Sequence, residues 1–224
     1  FLSREGYFKK ITPQSLRMSG EQKFKEGDEI RTALDAGNAS EIIFLTNRCQ
    51  AYKARLHEFD DSKASVLGDF LPQKLGMEEG EVPVWVFLPG DYTSHLLFIF
   101  ENGKAARIES AAYRTKSNRR KLTGAFSDRS PLVAAFQLQS DTELVLSTGV
   151  RALIVNTALL APKTTRTTQG VAVMTLKRGQ KVVSAQPLDQ STLSNPARYR
   201  TRTLPAAGAL LRSEDLPEKQ LTLE

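Results

Sequence analysis

Apolar residues along this chain come in short runs that pair across tight polar turns. Four segments share one order of apolar strand, turn and second strand: FLSREGYFKKI at 1–11, IIFLTNRCQAYKA at 42–54, LLFIFENGKAARI at 96–108 and LVLSTGVRALI at 144–154. Each pattern predicts a β-hairpin. The Asn102-Gly103 pair predicts a type I′ turn, because both central residues of that turn need positive φ and Asn and Gly tolerate it best. In the second segment Cys49 stands where the others have Gly6, Gly103 and Gly149, so that turn is expected to differ.

Aligned on those positions, every copy carries a second glycine after a basic or hydroxyl-rich stretch. These are Gly27, Gly68, Gly124 and Gly170, at separations of 21, 19, 21 and 21 residues. The first markers lie 43, 54 and 46 residues apart, and the long interval holds an extra GMEEGEVP segment read as a loop insertion. Strand-like sequence returns after each second glycine, most visibly in VPVWVFL at 82–88, LVAAFQL at 132–138 and VAVMTL at 171–176. Helical periodicity is missing except for a short turn near Ser15 to Met18. A unit of this size with several short strands cannot bury both faces alone and must stack on copies of itself.

The expected fold class is therefore all-β, a propeller-like ring of about four repeated four-stranded blades. The expected units are 1–39, 40–93, 94–141 and 142–187, with 188–211 as a closing strand or degenerate fifth unit. The whole of 1–211 forms one domain on this reading, and 212–224 is a polar tail that frays. Gly6, Gly103 and Gly149 should occupy equivalent turns, and Ile43, Leu97 and Val145 equivalent strand positions.

Composition narrows the class without changing it. Hydrophobic residues make up 40% of the 224, enough for a buried core. The longest apolar runs reach five residues, LLFIF and VWVFL, against the roughly 20 that cross a bilayer, so no membrane partner is expected. The start at Phe1, without Met or a signal-peptide pattern, is expected of a piece of a longer protein. A lone cysteine excludes an internal disulfide and suits a reducing cytoplasm. The net charge of +6 is unevenly spread: residues 1–112 hold 14 Lys+Arg against 17 Asp+Glu, and 113–224 hold 17 against 8. A basic half calls for a polyanion.

No catalytic constellation accompanies that charge. His57 and His95 are far apart in sequence and lack metal-ligand spacing, His57 reading as surface and His95 as half-buried. No nucleophile elbow, phosphate loop or dinucleotide fingerprint is present. Glu78, Glu79 and Glu81 read as solvated charge on a loop, the five tyrosines as packing residues, and Trp85 as core. No catalytic residue, metal or cofactor is expected in this domain.

The stretch before the second glycine does stand out. It carries Lys23 and Lys25 in the first copy, Lys63 in the second, Arg114, Lys116, Arg119, Arg120 and Lys121 in the third, and Lys163 and Arg166 in the fourth. On a closed ring equivalent positions share one rim, so these side chains would form a curved cationic band. Interleaved Ser, Thr and Asn add phosphate donors. Aromatic residues for stacking single-stranded bases are missing, which favours the backbone of a duplex. A propeller-type scaffold for protein partners is the competing reading; it needs no rim of arginines.

REGYFKKI at 4–11, the strand-turn-strand copies and the basic segments ending in glycine resemble the repeat of the C-terminal β-pinwheel domain of bacterial type IIA topoisomerase A subunits, those of gyrase and topoisomerase IV. The resemblance covers about residues 1–211. It implies blades that exchange strands with their neighbours and a basic perimeter that binds and bends double-stranded DNA. The catalytic tyrosine of that family would lie before Phe1. ATP and Mg would belong to the cleavage core and the partner B subunit, the latter being reached through the missing N-terminal part, in the cytoplasm at the nucleoid. Gyrases carry a box reading Gln-Arg-Arg-Gly-Gly-Lys-Gly in one blade. Here the third copy gives Asn118, Arg119, Arg120, Lys121, Leu122, Thr123, Gly124, matching the two arginines and the last glycine only. The degenerate box and the repeat count imply a topoisomerase IV type rather than a supercoiling gyrase.

Overall fold

A computed structural model describes residues 1–116 and 119–216. The first copy contributes β1 (Leu2–Ser3), β2 (Tyr7–Phe8) and β3 (Ile30–Thr32). The second contributes β4 (Glu41–Thr46), β5 (Gln50–Arg55), β6 (Asp69–Phe70) and β7 (Pro83–Phe87). The third gives β8 (His95–Phe100), β9 (Lys104–Glu109), β10 (Lys121–Thr123) and β11 (Leu132–Leu138). From the fourth come β12 (Glu143–Ser147), β13 (Arg151–Asn156), β14 (Val171–Ala172) and β15 (Ser184–Pro187), and the closing segment supplies β16 (Ala209–Leu210). The two α-helical turns, Pro13–Met18 and Leu71–Lys74, are short, the first capped by the Thr12 side chain.

These strands form four antiparallel sheets of four, each centred on one predicted hairpin: β3-β1-β2-β6, β10-β5-β4-β7, β11-β8-β9-β14 and β15-β12-β13-β16. The order shows how the copies interlock. The hairpin's first strand pairs with a strand of its own copy, and the second strand pairs with a strand lent by the next. The closing segment lends β16 to the fourth sheet, so it acts as a closing strand. VAVMTL behaves differently from the expectation: only Val171–Ala172 is strand and it joins the third sheet, while the strand returning to the fourth is Ser184–Pro187.

Because of the exchange, the compact units do not follow the repeat boundaries. One unit comprises 1–93 with 113–128 and contains the first two sheets; the other comprises 94–112 with the chain from Arg129 onward and contains the last two. In the first unit Phe8 meets Phe44 and Phe59 edge-on, with ring centroids 5.3 and 4.8 Å apart, in a core completed by Leu2, Ile42 and Leu71. The second unit buries Leu97, Ile99, Leu144, Leu146, Leu153 and Val173 together. Central hairpin strands such as HLLFIF are apolar on consecutive positions because both of their faces are covered.

Ile43, Leu97 and Val145 are equivalent: they face Lys53, Arg107 and Ile154 across their hairpins. The turns need correction. Cys49 does not change the second turn, because it takes up the left-handed φ of 54° itself and its N–H bonds to the Thr46 carbonyl, as Gly6 does to Ser3 and Gly103 to Phe100. The left-handed residue therefore comes fourth in a four-residue turn. Asn102 keeps negative φ, so its turn is not type I′. The fourth hairpin is the one that differs, with Thr148 N–H bonded to the Arg151 carbonyl around Gly149 and Val150.

Two of the second glycines, Gly68 and Gly170, mark the exchange. A Cβ on Gly170 would lie 2.0 Å from the Ala105 carbonyl oxygen, and one on Gly68 2.3 Å from that of Phe8. Here the chain of one copy crosses directly over the second hairpin strand of the copy before it, and a side chain would prevent that approach. The polar tail is anchored where it is described: Asp215 accepts hydrogen bonds from Tyr199 Oη at 2.6 Å and from the Ser194 N–H. Residues 217–224 lie outside the described residues.

Candidate nucleic-acid interface

In the first unit, the segment that leaves the third copy to reach β10 passes beside the end of the second hairpin. Backbone bonding sets its course, with Lys53 N–H donating to the Arg120 carbonyl at 2.7 Å. This passage brings Arg114, Arg119 and Arg120 around a cleft of about 370 Å³, together with Lys53, Arg55, Tyr92, Glu41 and Glu58. Lys53 is buried, 8% exposed, and its Nζ reaches Glu41 at 3.3 Å, the Tyr113 carbonyl at 3.3 Å and Thr115 Oγ1 at 3.2 Å. Arg120 pairs with Glu58 at 2.9 Å. Arg114 lies over the Tyr92 ring, 4.9 Å from its centroid, and donates to the Asp91 carbonyl. Arg119 is exposed and has no carboxylate partner among the described residues. Tyr92 adopts a left-handed φ of 67°, costly for a residue with a bulky side chain, and its hydroxyl donates to Glu41.

Lys53 and Arg55 were missed by sequence reasoning because they sit in a hairpin strand rather than before a second glycine. The available signal was that alternate positions in a half-apolar strand, QAYKAR, carry charge.

Lys121 takes another direction. Its Nζ contacts Glu78 at 2.9 Å and lies 5.5 Å from the Tyr52 ring centroid, and the Glu78 contact holds its pKa above the ordinary lysine value. Arg48 holds the same carboxylate at 3.0 Å. In the GMEEGEVP insertion Glu78 and Glu79 are exposed, as expected, whereas Glu81 is not solvated. The insertion folds back on the second hairpin turn, where Asn47 and Val82 exchange backbone and side-chain hydrogen bonds. Glu81 is 1% exposed, accepting from Thr46 Oγ1 at 2.5 Å, Tyr52 Oη at 2.8 Å and the Glu78 N–H at 3.0 Å.

The other first-unit candidates are dispersed. Lys25 pairs with Glu5 at 2.7 Å, which raises its pKa. Lys23 is exposed, and its carbonyl accepts from the buried Lys9, which also bonds the Ala64 carbonyl at 2.8 Å. Lys63 and Lys116 are exposed. Asn118 of the degenerate box lies outside the described residues.

In the second unit Lys163 is exposed and ties the backbone of β9, donating from its N–H to the Arg107 carbonyl and accepting from the Glu109 N–H. Arg166 is half-buried and donates to the Ala112 carbonyl at 2.7 Å. Arg107, equivalent to Lys53, is capped by Asp141 at 2.7 Å and by the Thr157 carbonyl at 3.0 Å. His95 is half-buried beside it, and burial first, then the Arg107 charge, lowers its pKa. His57 is exposed; Trp85 is half-buried and stacks on Phe87, with centroids 5.4 Å apart. Among the described residues no three of His, Cys, Asp and Glu converge as metal ligands, and no helix is long and apolar enough to cross a membrane.

No protein-family profile matches the chain. Over 196 residues it is 22% identical to the A subunit of DNA topoisomerase 4 from Staphylococcus aureus, an alignment covering 85% of this chain and 24% of that protein. The chain thus spans about a quarter of the length of the curated relatives it matches. Among solved structures it is similar to the C-terminal domain of DNA topoisomerase IV, with TM-score 0.77 and 19% identity over 93% of this chain and 70% of the other. It also resembles the DNA gyrase A C-terminal domain, with TM-score 0.62 and 19% identity over 93% and 74%. The fold is that of these C-terminal domains, as the resemblance in REGYFKKI and the basic repeats implied.

Proposed function

We propose that this chain binds and bends duplex DNA as the C-terminal wrapping domain of an ATP-dependent type II topoisomerase A subunit. One observation carries the reading: the basic segment of the third copy meets two further cations, Lys53 and Arg55, at a single cleft in the first unit. Fixed cations facing the phosphate backbone neutralise its charge without reading base edges. Thr115 beside them adds a hydroxyl, and no row of exposed aromatic residues among those described offers stacking to single strands. The degenerate gyrase box and the similarity to topoisomerase 4 support an enzyme of the topoisomerase IV type. In such an enzyme, catalysis, ATP and Mg belong to the cleavage core and the B subunit, with the bacterial cytoplasm as the setting.

The test is a titration of a labelled duplex of arbitrary sequence with the 224-residue chain at several salt concentrations. Six to ten phosphate contacts lower affinity by roughly 10³- to 10⁵-fold between about 50 and 200 mM salt. A flat salt response, or preference for single strands, would favour a protein-interaction scaffold or a stacking mode instead.

A further inference from the structure

The cleft in the first unit is more than a stretch of basic surface. Five cationic side chains line it, Lys53, Arg55, Arg114, Arg119 and Arg120, against the two carboxylates of Glu41 and Glu58. Both carboxylates are already engaged: Glu41 by Lys53 and the Tyr92 hydroxyl, Glu58 by Arg120 and the Arg55 N–H at 3.1 Å. Among the described residues, Arg55, Arg114 and Arg119 make no ion pair in this concavity, Arg114 acting on the Asp91 carboxyl only through its charge. The repeat itself supplies the comparison. Where the second hairpin has Lys53 and Arg55, the third has Arg107 and Glu109, and the fourth has Ile154 and Asn156. The third position is closed by Asp141, and the fourth has no cation at either of these two positions. The second hairpin combines cations at both of these strand positions with three arginines on the segment crossing it; the fourth, crossed by Arg198, Arg200 and Arg202, carries its strand cation at Arg151, away from these two positions. Its cleft falls within the size range of small-ligand sites, roughly 300–1,000 Å³. The left-handed Tyr92 forms the base under Arg114, and backbone strain of this kind tends to be retained where a site requires it.

The geometry points to a discrete seat for a phosphate group in this cleft, with Arg55, Arg114 and Arg119 as its ligands and Tyr92 as the positioning residue. The seat takes either a backbone phosphate of a duplex or the phosphate of a small free ligand, since guanidinium forks recognise both alike. The duplex arm rests on the proposed function; the phosphate chemistry does not.

The test is calorimetric titration of the 224-residue chain with inorganic pyrophosphate. One site is expected, weakened about tenfold or more by Arg55→Ala with Arg119→Ala. The exposed Arg178→Ala, which removes a charge far along the sequence, should leave it unchanged. No binding, or equal losses from Arg178→Ala, overturns the seat and means that charge acts diffusely. Duplex binding is then measured with pyrophosphate or with sodium chloride of equal ionic strength. Stronger inhibition by pyrophosphate assigns the seat to a backbone phosphate; equal inhibition, with pyrophosphate still bound at one site, assigns it to a free ligand. If pyrophosphate binds and duplex does not, the seat stands and the wrapping function falls. If duplex binds with steep salt dependence and pyrophosphate does not bind, the reverse holds.

Discussion

The two units handle their charge in opposite ways. The first holds 17 Lys+Arg and 16 Asp+Glu, the second 14 and 9. In the first unit cations meet carboxylates locally: Arg4 with Glu29 at 2.6 Å, Lys25 with Glu5, Arg48 and Lys121 with Glu78, Arg120 with Glu58. The cleft is where that balance breaks. In the second unit Lys163, Lys177, Arg178 and Arg202 are exposed with no carboxylate partner among the described residues. Exposed pairs contribute little to stability, about 0–1 kcal/mol, but each removes a cation from the field that a polyanion meets. The first unit is therefore suited to a localised contact and the second to diffuse, salt-sensitive attraction. A charge count split at Tyr113 hides this, because strand exchange folds the five cations of 113–128 into the first unit.

The largest expected effect tests whether each unit depends on its own core. Phe98 is fully buried on β8, so Phe98→Asp should cost more than about 4 kcal/mol and abolish the second unit's cooperative unfolding. Chemical denaturation followed by Trp85 emission, which reports the first unit, and by far-ultraviolet dichroism would show whether the first survives. Next comes the exchange itself. Gly170→Ala places a Cβ against the Ala105 carbonyl and should destabilise by roughly 2–5 kcal/mol, whereas Gly27→Ala, with open space around it, should cost about 1–2 kcal/mol from its positive φ alone. Similar losses in thermal melts would mean that the crossing is not close.

The binding comparison is sharpened by charge reversal. Arg119→Glu with Arg120→Glu should weaken duplex binding roughly tenfold or more, and Lys23→Glu with Lys25→Glu by less than about threefold, with both variants folded. Equal losses in a filter-binding series would show a wrap spread evenly over the candidate positions. In the opposite direction, Glu78→Gln releases Arg48 and Lys121 and should tighten duplex binding by about two- to fivefold at low salt. An unchanged affinity would place those two cations away from the DNA path.

The smallest effect is a pH dependence. The Arg200 contact at 2.8 Å holds Glu143 below the ordinary carboxyl range, so its contribution is present above that range and is lost as pH falls from about 5 towards 3. In the first unit Glu78 behaves in the same sense through Lys121. Arg200→Gln should flatten the second unit's acid dependence slightly, measured as the denaturation midpoint against pH.

The repeat was legible in the sequence because each of its two devices leaves a glycine at a fixed spacing. A left-handed turn and a backbone crossing each demand glycine, so their spacing survives when the residues between them differ. Ile43, Leu97 and Val145 could be aligned for the same reason. Cys49 shows the limit, since tertiary packing imposed a glycine conformation on a residue that does not favour it. The basic stretches were equally visible, being contiguous in sequence. What each cation does was not visible. Lys121 turns to Glu78, Arg120 to Glu58, and Arg119 shares a cleft with Lys53 and Arg55 from another copy. Sequence determined where charge and turns recur, because those are properties of neighbouring residues. Only the tertiary structure decided which charges meet, because the exchanged strands bring together residues as distant in sequence as Lys53 and Arg120, 67 positions apart, and Coulomb energy depends on distance in space.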